Sequence, residues 1–285
     1  MSIAHYQIRR MSRQDLKRTL GWAGREGWNP GLHDLDLFHH IDPQGFFLGW
    51  IGDRPVASIS CVRYSDRHAF LGFYIVDPAL RGHGLGMTVW ETALEHARGC
   101  VVGLDGVVAQ QDNYRRSGFE LAWNNQRYRC AGRGTGPCLL HPRIVPLSTL
   151  PFDVLAAYDR AFHPVPRDGF LQAWIQQPQS LALAWFEEGE LRGYGVMRAC
   201  VDGHKLAPLC ADTPAIADAL MGALCAGVPP HESVWLDVPQ AHPQVVAWAR
   251  GQRMEAGFPT ARMYRGPAPR LDVARLYALT ALEVG

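Results

Sequence analysis

Residues 81–86 read Arg-Gly-His-Gly-Leu-Gly and stand between the apolar run Leu71–Val76, which stops at Asp77-Pro78, and a segment with helical spacing. Successive amides freed of Cβ atoms can curl into a nest of N–H donors. A helix starting near Gly86 adds its partial positive end, and Arg81 adds a fixed charge. The matching target is an anion the size of a diphosphate. A tight strand-to-helix turn with close packing would use the same glycines. Spacing excludes two familiar phosphate loops. A dinucleotide fingerprint needs a third glycine where Met87 stands, and a Walker A loop needs a lysine that this stretch lacks.

The elements that must hold this loop follow from the pattern around it. Tyr6–Arg9 forms a short strand, and Ser12 begins a helix with Asp15 three residues on as a capping box. The segment "GWNPGLHD" turns the chain before a brief helix near Leu35–Ile41. Phe46–Ile51 and Val56–Val62 are strands joined by the hairpin signal "GDRP". In the second, Ala57, Ile59 and Cys61 alternate with Ser58 and Ser60, so one buried face is expected. Phe70–Val76 is apolar on both parities except at Gly72, as in a central strand covered on both sides. Met87, Trp90, Leu94 and Ala97 mark a helical face. "VVGLDGV" is another buried strand, Gln110–Ser117 a short helix, and Phe119–Cys130 the closing strand region.

The 285 residues are 47% hydrophobic and 19% charged, enough for two globular domains of about 140 residues each. A net charge of +1 with no basic stripe argues against nucleic acid and against an anionic membrane surface. Seven cysteines, odd in number and without CxxC spacing, predict neither a disulfide framework nor a zinc site. No metal is expected. No leader-like apolar region opens the sequence and no long apolar span occurs, so a cytoplasmic protein is expected.

The second half repeats the order of the first. "EEGE" at 187–190 stands where "GDRP" stood, "WLDVPQ" at 235–240 echoes "LDGVVAQ" at 104–110, and Gly257-Phe258 echoes Gly118-Phe119. Three echoes in one order predict a duplicated α/β unit. The stretch "AGRGTGPC" (131–138) reads as a linker. The expected division is residues 1–131, a linker at 132–142, and residues 143–285.

After "YIVDPAL", the loop Arg81–Gly86 resembles the Arg/Gln-x-x-Gly-x-Gly/Ala loop of the GNAT superfamily of acyl-CoA-dependent N-acyltransferases. "NYRRSGF" at 113–119 resembles that family's Tyr-x-x-x-Gly-Phe segment. The two motifs, with the strand order before them, cover about residues 5–130. "WNPG", "DPQGFF", "GLDGV" and the duplicated second half further resemble a bacterial tandem-GNAT group. The fold implied is α/β (α+β), two tandem GNAT-like domains, each a mixed, mostly antiparallel sheet flanked by helices.

That resemblance implies acetyl-CoA as cosubstrate, its pyrophosphate on Arg81, Gly82, His83, Gly84, Leu85 and Gly86. Its pantetheine arm would run along Tyr74, Ile75 and Val76, where this strand splays from Val102–Leu104. Backbone amides there would polarise the thioester carbonyl, and an amine would attack it directly. An alkyl amine is mostly protonated at pH 7, a handicap of roughly 4–5 kcal/mol. Relatives often place a glutamate on the central strand, but Leu71–Val76 has no carboxylate. Asp105 is the nearest candidate base, against a structural role capping backbone amides, and a water relay is the first expectation. Tyr114 matches the tyrosine that protonates the departing thiolate, or packs over Gly118-Phe119. His83 either touches phosphate or is simply exposed. Trp28, Phe38 and Phe46 are expected to wall the acceptor pocket, with Asp34 or Asp36 attracting a cationic amine; an ordinary turn, capped helix and core aromatics would account for the same residues.

The second copy has "KLAPLCADTPAIADAL" where a phosphate loop belongs, with Thr213 and Pro214 starting a helix and no Gly-x-Gly. It also lacks the tyrosine before Gly257-Phe258. It is expected to have lost cofactor chemistry, to bury a face of the first domain and to help close the acceptor pocket. Two function classes follow: an N-acetyltransferase acting on an amine, or a non-catalytic CoA-binding or sensing module. Acceptor identity, acyl length and the choice between monomer and homodimer are not specified by the residues.

Overall fold

The computed structural model describes residues 5–134 and 141–285. Residues 1–4, Cys138 and positions 135–140 of the expected linker lie outside the described residues. The first half runs through β1 (Tyr6–Arg10), α1 (Arg13–Arg25), α2 (Asp34–Ile41), β2 (Phe46–Ile51), β3 (Arg54–Arg63), β4 (His68–Val76), α3 (Leu85–His96), β5 (Val101–Val107), α4 (Gln111–Arg116) and β6 (Phe119–Ala131). The second half repeats it as β7 (Ile144–Pro146), α5 (Phe152–Asp159), α6 (Asp168–Ile175), β8 (Ser180–Glu187), β9 (Glu190–Ala199), β10 (His204–Ala211), α7 (Pro214–Ala226), β11 (Ser233–Pro239), α8 (Pro243–Gly251) and β12 (Glu255–Arg265). A short extra strand, β13 (Leu276–Ala278), follows. No helix among the described residues is long and apolar enough to cross a membrane.

Local signals in the sequence account for several of these ends. The Asp15 carboxylate accepts from the Ser12 amide at 2.9 Å while the Ser12 hydroxyl accepts from the Asp15 amide, closing the capping box on α1. The Thr213 hydroxyl caps α7 by accepting from the Ile216 amide.

The strands form one sheet in the order β1-β2-β3-β4-β5-β12-β6-β11-β10-β9-β8-β7, with β13 on β10. Pairing is antiparallel except for β4 with β5 and β10 with β11. The halves exchange their last strands: β12 pairs with β5, and β6 pairs with β11. Each exchanged strand brings an arginine to the aspartate that the Leu-Asp echo picked out. Asp105 lies opposite Arg262 and Asp237 opposite Arg127. Both pairs are buried and bidentate, with N–O distances of 2.6 to 2.8 Å.

One apolar cluster packs under α3 and another under α7, while a third joins the halves through Phe38, Phe73, Trp174, Leu171, Leu282 and Val284. This third cluster explains a departure from the strand reading. Ser58 and Ser60 of β3 are as fully buried as Ile59, because the segment after β13 and the second half cover the face expected to be open.

Candidate active site

The parallel pair β4–β5 runs from His68 opposite Val101 to Leu71 opposite Leu104 and then ends. Beyond it β4 carries a bulge against β3: Ser60 pairs with Gly72 and Ser58 with Ile75, leaving one residue opposed by two. Phe73 takes up the extra length at φ +49°, a left-handed conformation that costs a non-glycine residue about 1 kcal/mol or more. The Ser58 hydroxyl donates to the Phe73 carbonyl at 2.7 Å and holds the bulge. The strand edge Tyr74–Val76 is thereby turned away from β5 and forms one wall of a cavity of about 520 Å³.

The glycine loop forms the mouth of that cavity. Gly82 and Gly84 have φ of +83° and +79°, and Gly84 is the N-cap of α3. Among the described residues no backbone carbonyl accepts from the amides of Gly82 through Gly86, the donors a helix start leaves free. Open space surrounds Gly82 and Gly84, while a Cβ on Gly86 would meet the Tyr74 hydroxyl at 2.5 Å. Gly86 thus lets α3 close on β4, and the other two carry the loop through the left-handed region into the helix start. These features fit the diphosphate of a CoA thioester. Arg81 lines the cavity, but its Nε donates to the Val76 carbonyl at 3.0 Å and its Nη2 pairs with Glu26 at 2.8 Å. It braces the loop to the strand and to α1's C-cap. His83 lies outside the cavity wall, exposed, with Nδ1 3.0 Å from the Arg81 carbonyl.

Deeper in, Tyr114 stacks on Trp90 with centroids 5.6 Å apart and planes 18° from parallel, and Tyr74 packs on the same indole. Burial, then the neighbouring Tyr74, pushes the Tyr114 phenol above its ordinary value, so it carries its proton at neutral pH. Asp105 borders the cavity but has both oxygens committed, to Arg262 and to the Asn125 amide at 2.8 Å. Burial pushes its carboxyl up, although Arg262 and Asn125 pull it back. In this structure it joins two strands across the sheet rather than capping a turn.

The acceptor end departs most from the sequence reading. Trp28 is in the cavity wall, its carbonyl held by Arg127 at 2.9 Å and Lys205 at 3.3 Å. Asp34 is not. It is fully buried, accepts from Arg198 at 2.9 and 3.0 Å and from the Gly31 amide at 2.8 Å. Burial alone would raise its carboxyl, but Arg198 and Gly31 outweigh it and hold the group below the usual range. Phe38 is likewise core, stacked on Trp174 at 6.1 Å, and Phe46 is fully buried. Asp36 is exposed and pairs with Arg13. The "WNPG" segment docks on the second half, where Asn29 and Asp202 exchange two 2.9 Å bonds.

Residues that sequence reasoning missed come from the second half. Phe258 and Thr260 of β12, and Leu282 and Glu283 beyond β13, line the same cavity. The β12 pair follows from the strand exchange. Glu283 is 2% exposed; both carboxylate oxygens are closed off from solvent and, among the described residues, have no hydrogen-bond partner. Its main chain lies against Gly72, and the neighbouring Val284 carbonyl accepts from the Tyr64 hydroxyl at 2.9 Å. Gly72 stood out in the sequence as the one interruption of β4; its partner did not.

In the second copy the corresponding gap is filled. Strands β10 and β11 pair only at His204–Val234 and Lys205–Trp235. Beyond that, β13 pairs with β10 at Leu209 and Cys210, and the Leu279 amide donates to the Asp237 carbonyl of β11 at 2.9 Å. The chain itself lies where a pantetheine arm would run.

Comparison with known proteins agrees with this geometry. Residues 13–119 match the acetyltransferase (GNAT) family, and residues 155–278 match an acetyltransferase (GNAT) domain. Holothin acyltransferase of Pseudoalteromonas sp. is 31% identical over 264 residues, covering 93% of this chain and 89% of that protein. A candidate acetyltransferase from Pyrococcus horikoshii shares the fold with a TM-score of 0.82 at 19% identity, over 100% of this chain and 98% of that one. A tandem GNAT protein from the clavulanic acid biosynthesis pathway does so at 0.63 and 12% identity, over 92% and 99%. With both halves matched and one relative aligned along nearly its whole length, the chain belongs to the GNAT superfamily of acyltransferases and carries two GNAT domains in tandem.

Proposed function

We propose that the protein is an N-acyltransferase that moves an acetyl group from acetyl-CoA directly to an amine, using the first copy alone. The observation that carries this reading is the parting of β4 and β5 after Leu71 and Leu104, beside a loop of free amides at the start of α3. The family likeness and the acyltransferase relative support acyl transfer.

Bound acetyl-CoA supplies an activated acyl thioester. The amides of Gly82–Gly86 receive its diphosphate, and the edge Tyr74–Val76 aligns its arm. Amides in the split between β4 and β5 polarise the carbonyl. The acceptor enters at the Trp28 end, its nitrogen forms the new C–N bond, and the C–S bond breaks. Tyr114 gives the sulfur a proton.

Thiol release from acetyl-CoA against a panel of primary amines tests the reading. Turnover that depends on an amine is expected. Tight binding of acetyl-CoA with no release for any amine would contradict it and favour a CoA-binding module.

A further inference from the structure

The acceptor end of the cavity is built from both copies, and its wall there is apolar. Trp28 comes from the turn after α1, Leu71 and Leu104 from the point where β4 and β5 part, Phe258 from β12, and Leu282 from the segment after β13. One arginine ties the two aromatic residues together. Arg127 donates to the Trp28 carbonyl at 2.9 Å and lays its guanidinium over the Phe258 ring, 4.5 Å from the centroid. Trp28 and Phe258 are both half-buried in the cavity wall, so ring surface remains for a ligand.

The titratable groups of the wall do not suit a cation. Asp105 has no exposed side-chain surface and gives both oxygens to Arg262. The Glu283 oxygens are closed off from solvent. Burial raises the phenols of Tyr74 and Tyr114, so both keep their protons at neutral pH. Glu26 is accessible, but it pairs with Arg81, whose Nε sits on the Val76 carbonyl. That carbonyl is roughly 10 Å along β4 from Gly72, where the strands part. Groups that would attract an ammonium at the aromatic end are already taken: Arg127 covers Phe258, and Lys205 donates to the Trp28 carbonyl at 3.3 Å.

An alkyl amine arrives as an ammonium, with only about one molecule in a few thousand neutral at pH 7. Among the described residues, this wall gives it neither a counterion where the strands part nor an accessible base to remove its proton. An amine whose lone pair is shared with a ring arrives neutral. Burying that ring against aromatic side chains is favourable.

We infer that the acceptor is a flat aromatic or heteroaromatic amine, uncharged at neutral pH, bound against Trp28 and Phe258. The inference rests on the acyltransferase reading above and narrows its substrate. The neutral nitrogen forms the C–N bond with the thioester carbonyl and thereby becomes strongly acidic, so water suffices to take one N–H proton. The C–S electrons leave on sulfur, which takes the Tyr114 proton, and the phenol regains a proton from solvent.

The test measures thiol release by the full chain, saturated with acetyl-CoA, with aniline, benzylamine and cyclohexylamine from pH 6 to 9. Benzylamine shares aniline's flat ring but is charged; cyclohexylamine has aniline's size but is charged and puckered. Aniline should exceed both in kcat/KM at pH 7 by about 100-fold, with a level pH profile. The alkyl amines should gain about tenfold per pH unit, because only their neutral fraction reacts. Trp28→Ala should raise the KM for aniline about tenfold. Its calorimetric affinity for acetyl-CoA should stay at the wild-type value, which also reports that it is folded; Trp28→Leu serves if the alanine variant does not fold. Either alkyl amine matching aniline at pH 7, turnover confined to alkyl amines, or a folded Trp28 variant with unchanged KM overturns this acceptor assignment alone. A wild type inert with every amine overturns the acyltransferase reading and this inference together.

Discussion

Gly72 and Glu283 meet backbone to backbone: a Cβ placed on Gly72 would lie 2.1 Å from the Glu283 carbonyl oxygen. This contact joins the point where β4 leaves β5 to a segment more than 200 residues further along the chain. It ties the geometry of the cleft to the presence of the second copy.

Gly72→Ala tests the contact. The added methyl cannot be accommodated by a side-chain rotation, because it faces backbone. Overpacking of this kind costs about 1–3 kcal/mol, so the urea midpoint should fall. Thiol release should fall further than stability alone explains, since Gly72 and the displaced segment both line the cavity where β4 leaves β5.

Asp34 now belongs to stability rather than substrate binding. Asp34→Asn leaves Arg198 buried without its countercharge, which should cost about 3–5 kcal/mol in chemical denaturation at pH 7. The pH dependence has a definite sign. The folded-state pKa lies below the unfolded value, so the contribution is present above about pH 4 and is lost as pH falls through the folded value. The variant should therefore show a shallower loss of stability on acidification than wild type.

Tyr114→Phe separates two roles that the sequence left equal. The ring stays stacked on Trp90, so the thermal midpoint and acetyl-CoA affinity should hold. Turnover should drop by about 10- to 100-fold if the hydroxyl supplies the thiol proton. Unchanged turnover would leave only the packing role.

Arg81→Ala should raise the dissociation constant for acetyl-CoA by about fivefold, the low end of what a phosphate-binding arginine gives. Its guanidinium is half-exposed and already shared by Glu26 and Val76, so solvent and these partners blunt its pull on an anion. An unchanged constant in calorimetry would confine Arg81 to bracing the loop.

Much of the frame was legible because it is encoded locally. The Ser12 and Thr213 caps, the "GDRP" hairpin and the glycines before α3 each act over a few residues, and each is where the sequence put it. The Leu-Asp echo was also visible, but its meaning was not. Asp105 and Asp237 are matched by arginines on strands exchanged between the halves, a pairing that no local pattern encodes. The acceptor end failed for the same reason. Asp34 and Phe38 look like pocket residues on an amphipathic helix until Arg198 and Trp174 of the second half cover them. Glu283 could not be placed without knowing that the chain returns to Gly72.

The central claim is that one copy grips acyl-CoA while the other has its cleft filled by its own chain at β13. Calorimetric titration of the full chain with acetyl-CoA tests it most directly. One site per chain is predicted; two sites, or no heat at all, would contradict it.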